Sequence, residues 1–178
     1  MVEVLIPEEA IAARVQALAA QISTDYASAD ELILIGVLRG SFIFLADLAR
    51  KLTIPRRIDF IALSTYGNTT ETRGAVRLLM DLRVNIAGRH VLVVEDIVDT
   101  GYTLQYLMGM LTARGPATLK SCALVRKPVA KVDVRVDYLG FEIPDVWAVG
   151  YGLDYKDEMR ALPYIGKVSG GQGAGGRD

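Results

Sequence analysis

Short, unbroken apolar runs alternate along this chain with stretches whose apolar residues recur every three or four positions. The first run is Leu32-Ile33-Leu34-Ile35-Gly36-Val37-Leu38. The second goes from Ile58 to Leu63, the third is His90-Val91-Leu92-Val93-Val94, and a fourth goes from Leu119 to Val125. Runs this short, without polar alternation, read as strands buried on both faces. Between them, Ile11, Val15, Leu18 and Ile22 follow Pro7-Glu8-Glu9 at helical spacing. Proline in a first turn with acids behind it suits a helix start. Phe42, Leu45, Ala46 and Ala49 form a second helical face. Leu104, Leu107, Met108 and Leu111 form a third, which Gly115-Pro116 stops. Strands alternating with helices predict an α/β fold with a central, mostly parallel sheet flanked by helices. Such sheets bind ligands beyond the carboxyl ends of their strands. The places to look are therefore Leu38 to Ser41, Glu95 to Thr103, and Arg126-Lys127.

The chain has 178 residues, enough for one domain with a substantial core. Lys and Arg number 20 against 21 Asp and Glu, so no basic surplus exists for a chain-wide grip on nucleic acid. One cysteine, Cys122, excludes an internal disulfide and a thiolate zinc site, and one histidine, His90, excludes a histidine-rich metal site. Cys122 sits in an apolar run and is expected to be a buried small hydrophobe, whereas His90 is expected to be exposed. No apolar stretch approaches a membrane span and no signal peptide is visible, so a soluble cytoplasmic protein is expected. Gly67 to Gly74 is polar, rich in threonine and aperiodic, a loop, with a strand from Val76 to Leu82 beyond it. After Lys127-Pro128 the pattern changes to short strands: Val134 to Leu139, Val146 to Val149, and a piece near Tyr164-Ile165. We expect one domain over residues 1–168, and a flexible glycine-rich tail over 169–178.

The segment richest in chemistry is Val91 to Thr103. A buried strand leads into the adjacent acids Glu95-Asp96; a third acid, Asp99, comes three residues later, and Thr100-Gly101-Tyr102-Thr103 then opens a helix. Backbone N–H groups at a helix start, with threonine hydroxyls beside them, form an anion cradle. Gly101 lets the backbone approach a phosphate closely. Adjacent carboxylates are poor phosphate ligands but good acceptors for a pair of sugar hydroxyls. A diol reader beside a phosphate cradle describes a site for a ribose 5-phosphate.

This string resembles the 5-phosphoribosyl 1-diphosphate (PRPP) signature of type I phosphoribosyltransferases, and is most similar to the hypoxanthine-guanine branch. The resemblance extends over roughly Leu32 to Val168. Leu38-Arg39-Gly40-Ser41 resembles that family's diphosphate loop, and Ser64-Thr65-Tyr66-Gly67 the start of its mobile loop. Lys127 stands where the family has a purine-contacting lysine. Gly140-Phe141-Glu142-Ile143-Pro144-Asp145, continuing through Gly150-Tyr151-Gly152-Leu153-Asp154-Tyr155, resembles the base-binding hood.

The resemblance implies the type I fold, with a small hood formed by about residues 128–168 and the N-terminal segment. It implies transfer of the phosphoribosyl group from PRPP to N9 of hypoxanthine or guanine, with Mg²⁺ as cofactor. It implies a homodimer or homotetramer with neither nucleic-acid nor membrane partners. Glu95 and Asp96 would hold the ribose 2′- and 3′-hydroxyls, directly or through a metal-bound water. Asp99 would handle the proton of purine N7. Thr100, Gly101, Tyr102 and Thr103 would hold the 5′-phosphate. Leu38, Arg39 and Gly40 would bind diphosphate with Arg160, and Asp154 would join Glu95 and Asp96 toward the metal. Lys127 would donate to the purine 6-oxygen, Trp147 would stack on the ring, and the Ala148 backbone would meet its edge. The loop led by Ser64, Thr65 and Tyr66 would close as a lid.

Read as residues alone, several of these positions keep a plainer alternative. Trp147 lies in an apolar stretch where core packing also accounts for it. Lys127 and Arg160 also suit solvated loop charges, and the threonine-rich segment also suits an ordinary surface loop. Arg39 stands where some relatives have lysine, and Tyr102 fills a variable slot. Trp147-Ala148 replaces a Phe-Val pair, which leaves the ranking of hypoxanthine, guanine and xanthine open. The rival readings are another phosphoribosyltransferase, or a non-catalytic nucleotide sensor of the same fold.

Overall fold

A computed structural model describes residues 2–66, 75–129 and 131–168 of the chain. The N-terminal strand β1 (Val2–Ile6) leads into helix α1 (Glu8–Asp25), then β2 (Leu32–Leu38) and α2 (Phe42–Lys51). Strands β3 (Arg56–Tyr66) and β4 (Ala75–Met80) precede β5 (His90–Val98), α3 (Tyr102–Thr112) and β6 (Thr118–Arg126). The described chain ends with β7 (Tyr138–Glu142), β8 (Ala148–Val149) and β9 (Ile165–Val168).

Six strands form one sheet in the order β4-β3-β2-β5-β6-β7, parallel except for the antiparallel edge strand β4. Helices cover both faces, as the doubly buried runs require. Leu32, Leu34, Leu92 and Val94 pack with Ile11, Val15, Phe44 and Leu48 of α1 and α2. The intervening Ile33, Ile35, Val91 and Val93 pack with Leu104, Leu107 and Leu111 of α3. This alternation is the two-residue period of a strand in a doubly covered sheet. From β2 the chain goes to β3 on one side, and the next central strand, β5, adds on β2's other side. The loops after β2 and β5 therefore diverge from neighbouring strands, and a crevice opens between them. A second sheet, β1-β9-β8, is antiparallel and joins the two ends of the described chain.

The structure departs from the sequence reading at several points. Helix α2 buries Phe44, Leu45, Leu48 and Ala49, while Phe42 is exposed. Both sets have helical spacing, and the set carrying Phe44 and Leu48 has more apolar surface to bury. Strand β1 carries no clear sequence signal, because Glu3 interrupts its apolar residues and leaves only Val4-Leu5-Ile6 together. Strand β7 begins at Tyr138 rather than Val134, and β8 begins at Ala148, which leaves Trp147 outside it. Strand β3 continues through Ser64, Thr65 and Tyr66, pairing with β4. His90 is half-buried: Nδ1 lies 3.0 Å from Thr118 Oγ1, and its ring meets Tyr26 edge-on. Cys122 is fully buried, as expected. The proposed lid, 67–74, and the tail, 169–178, lie outside the described residues. Among the described residues no helix is long and apolar enough to cross a membrane.

Candidate active site

The parallel register carries β5 past its acid pair. Glu95 aligns with Ala123, Ile97 with Val125 and Val98 with Arg126. Glu95 and Asp96 therefore lie inside the strand instead of ending it, and both are buried. Asp96 faces the loop after β2. A Cβ on Gly40 would overlap the Asp96 carboxylate, so only glycine allows this approach. On the other side of that loop, a Cβ on Gly152 would overlap the Gly40 carbonyl, and Gly152 has φ +102°. Strand β5, the loop after β2 and the turn after β8 are thus stacked backbone to carboxylate, with no room for side chains between them. The Leu38–Arg39 peptide is cis, and Ser41 Oγ donates to the Val37 carbonyl at 2.7 Å.

Beyond β5, Gly101 takes φ +88° and caps α3. The Gln105 N–H donates to the Gly101 carbonyl at 2.9 Å, which closes the first helical turn. The amides of Tyr102, Thr103 and Leu104 precede that turn and have no intrahelical acceptor. This is the donor array of an anion cradle. Its outer side is braced by residues to which no sequence motif points. The Lys131 N–H donates to the Thr100 carbonyl at 2.8 Å, and Val132 and Val134 stand within 3.1 Å of where a Gly101 Cβ would be.

Lys127 closes β6 at the same edge. Its N–H donates to the Val98 carbonyl at 3.0 Å. Its side chain is only 11% exposed, and Nζ lies 3.2 Å from Asp99 Oδ2 and 3.3 Å from Asp145 Oδ1. This burial removes the reading of Lys127 as a solvated charge. Trp147 is half-buried, with Nε1 donating to the Asp154 carbonyl at 3.1 Å and its ring edge-on to Tyr155. It is not a core residue. Arg160 is equally far from a free surface charge. It donates to the Gly152 carbonyl at 2.8 Å and pairs with Asp154 at 2.9 Å and with Asp157 at 2.9 Å. Asp157 also pairs with Arg39 at 2.9 Å. Hydrogen bonds from Arg160 foremost, opposed by desolvation and then aided by Arg39, hold the Asp157 carboxyl below the usual carboxylate range.

The crevice thus brings together Leu38, Arg39 and Gly40, Glu95 and Asp96, and Asp99 through Thr103. Lys127 joins through Asp99, and Asp154 and Arg160 join through Asp157 and Gly152. Sequence reasoning placed Asp145 in the hood string without its tie to Lys127, and it missed Asp157. Asp157 lies three residues before Arg160, a spacing that could have suggested the pair; nothing local pointed Asp145 at Lys127. A cavity of about 240 Å³ adjoins Lys127 among Val98, Val132 and Val134, and Glu95 and Asp96 do not line it.

The donor set has a bearing on metals. Glu95, Asp96 and Asp154 offer oxygen ligands, which suit a hard cation. Among the described residues no three histidine, cysteine or acidic side chains converge into a metal cage.

A phosphate cradle and an acid pair at the switch point of a parallel sheet define a nucleotide- or sugar-phosphate-handling α/β protein. The phosphoribosyl transferase domain family matches residues 3–156, and the chain belongs to it. Within that family it is similar to the hypoxanthine phosphoribosyltransferase of Haemophilus influenzae, at 48% identity over 94% of this chain and 95% of the other. It is also similar to the hypoxanthine-guanine phosphoribosyltransferase of Dictyostelium discoideum, at 44% identity over 93% and 94%. A solved hypoxanthine-guanine phosphoribosyltransferase from Bacillus anthracis, with HEPES in its active site, superposes with a TM-score of 0.89. It is 47% identical and covers 93% of this chain and 98% of its own.

Proposed function

We infer that this protein transfers the 5-phosphoribosyl group of PRPP to N9 of hypoxanthine or guanine, giving IMP or GMP and diphosphate, a purine-salvage reaction. The observation that carries the purine reading is Lys127. It is a nearly buried ammonium beside the phosphate cradle, set between two carboxylates. A 6-oxopurine offers that ammonium an acceptor, whereas adenine offers a donor amino group, so a buried donor would face a donor.

In this reading the amides and hydroxyls of Thr100 to Thr103 hold the 5′-phosphate, and Glu95 and Asp96 read the ribose hydroxyls. The bond from C1′ to diphosphate oxygen breaks as the bond to N9 forms, through a transition state with oxocarbenium character. Asp99 takes the proton that the purine sheds at N7. Arg39 and Arg160, with the backbone of Leu38 and Gly40, stabilise the charge that builds on the leaving diphosphate. Magnesium held by Glu95, Asp96 or Asp154 adds to that neutralisation when bound. Trp147 stacks on the base and the Ala148 backbone meets its edge. The small sheet and the segments around it serve as the hood, and the loop led by Ser64, Thr65 and Tyr66 keeps water from PRPP. We place the protein in the cytoplasm as a homodimer or homotetramer.

The test is nucleotide formation from PRPP and magnesium with hypoxanthine, guanine, xanthine and adenine supplied separately. Turnover of hypoxanthine and guanine, slow reaction with adenine, and loss of activity on chelation are expected. Preference for adenine, or no diphosphate release with any purine, would overturn the reading.

A further inference from the structure

Asp157 stands between two cations drawn from distant parts of the chain. Arg39 Nη1, in the loop after β2, donates to its Oδ2 at 2.9 Å. Arg160 Nε and Nη2 donate to its Oδ1 at 3.1 and 2.9 Å. Each oxygen of one carboxylate is therefore taken by a different guanidinium. Two arginines sharing the oxygens of one anion is also how guanidinium groups grip a phosphate. The backbone is shaped to present the group: Asp157 has φ +65°, and its N–H donates to Asp154 Oδ2 at 2.8 Å. Asp157 and Arg39 are both more than half exposed, so their pair is weak and exchanges readily in water. Arg160 is only 19% exposed and also holds Gly152 and Asp154, so it keeps its place if Asp157 moves away.

We propose that Asp157 is an internal competitor of diphosphate for Arg39 and Arg160, and so sets how tightly this protein holds that anion. The proposal rests on the reading of those two arginines as diphosphate ligands. A diphosphate group takes over the guanidinium hydrogen bonds and swings the carboxylate outward, where it remains a nearby like charge. Both effects weaken retention of diphosphate and ease its departure as product. Lys156, Asp157 and Met159 all have positive φ, so the loop that makes the competition possible is specified locally.

The experiment is calorimetric titration of inorganic diphosphate with magnesium into the wild-type protein, Asp157→Asn and Arg160→Met. Asparagine tolerates positive φ and keeps the side-chain shape while removing the charge. Asp157→Asn is expected to bind diphosphate about five-fold more tightly, the scale of one exposed charge pair. Asp157→Gly, which also suits the backbone, is expected to tighten binding in the same direction. The KM for hypoxanthine should stay within about two-fold in both. Unchanged or weaker diphosphate binding by both variants, with Arg160→Met weaker than wild type, would overturn the proposal alone and make Asp157 an orienting residue. Equal diphosphate binding by wild type and Arg160→Met would overturn the arginine reading and the proposal with it.

Discussion

At the scale of single residues, the proposed reading makes Lys127 the group that separates recognition of the base from recognition of PRPP. Its ammonium lies against Asp99 and Asp145, whereas the cradle is made of backbone N–H groups at the start of α3, so in the proposed reading the two substrates meet different groups. Lys127→Ala should raise the KM for hypoxanthine and guanine by an amount equivalent to about 1–3 kcal/mol, the range for a charged hydrogen bond. Discrimination against adenine should shrink, and PRPP affinity should hardly move. Steady-state kinetics with each base checks this. Equal loss of both substrates would make Lys127 a structural residue. Asp99 is half exposed at the junction of β5 and α3, within reach of Lys127. Asp99→Asn should lower kcat by about 10²-fold or more while PRPP binding stays nearly intact. Wild-type turnover in that variant would leave Asp99 with a positioning role only.

At the scale of elements, helix α3 carries two glycines with opposite prospects. Gly101 has φ +88° and is packed against Val132 and Val134, so an added methyl meets both strain and contact. Gly109 lies inside the helix with nothing within 4 Å of its would-be Cβ. Gly109→Ala should stabilise the protein by about 0.5–1 kcal/mol through helix propensity alone. Gly101→Ala should destabilise it and weaken PRPP binding. Thermal melts and PRPP titration of the two variants provide the check; a lower Tm for Gly109→Ala would contradict the argument. The same helix shows what sequence can convey. Its apolar face, the β5 run and the Thr100 to Thr103 string are local patterns, and each is legible in the order of residues alone. Helix α2 is equally visible, but the face it buries is not, because two overlapping faces satisfy the same spacing and only the neighbouring α1 and β2 choose between them. The partners of Lys127 and Arg39 are illegible for a related reason. Asp145 and Asp157 are 18 and 118 residues away from them, and short acidic turns carry no periodicity to point with.

At the scale of the whole molecule, Cys122 offers a reporter. It is the chain's single cysteine, it is fully buried in β6, and burial pushes its thiol far above the ordinary range. A thiol reagent at neutral pH should therefore label it only when the central sheet opens. PRPP at about 100 times its Kd should slow that labelling by about 100-fold, because binding stabilises only the folded chain. Rapid labelling that ignores PRPP would show that β6 opens without disturbing the site. The small sheet has a different bearing on how the molecule comes into being. Its first strand, β1, pairs with β9, Val2 opposite Val168, so the two partners are separated by nearly the whole described chain. On a ribosome adding about 5–20 residues each second, β1 waits roughly 10–30 s for that partner to be made. During that interval the segment of β5 and α3 proposed to hold PRPP has already been made. In the proposed reading, the strands and turns of the hood are therefore made after the sugar-phosphate subsite, and a nascent chain would carry the means to hold a ribose phosphate before the hood that closes over the base.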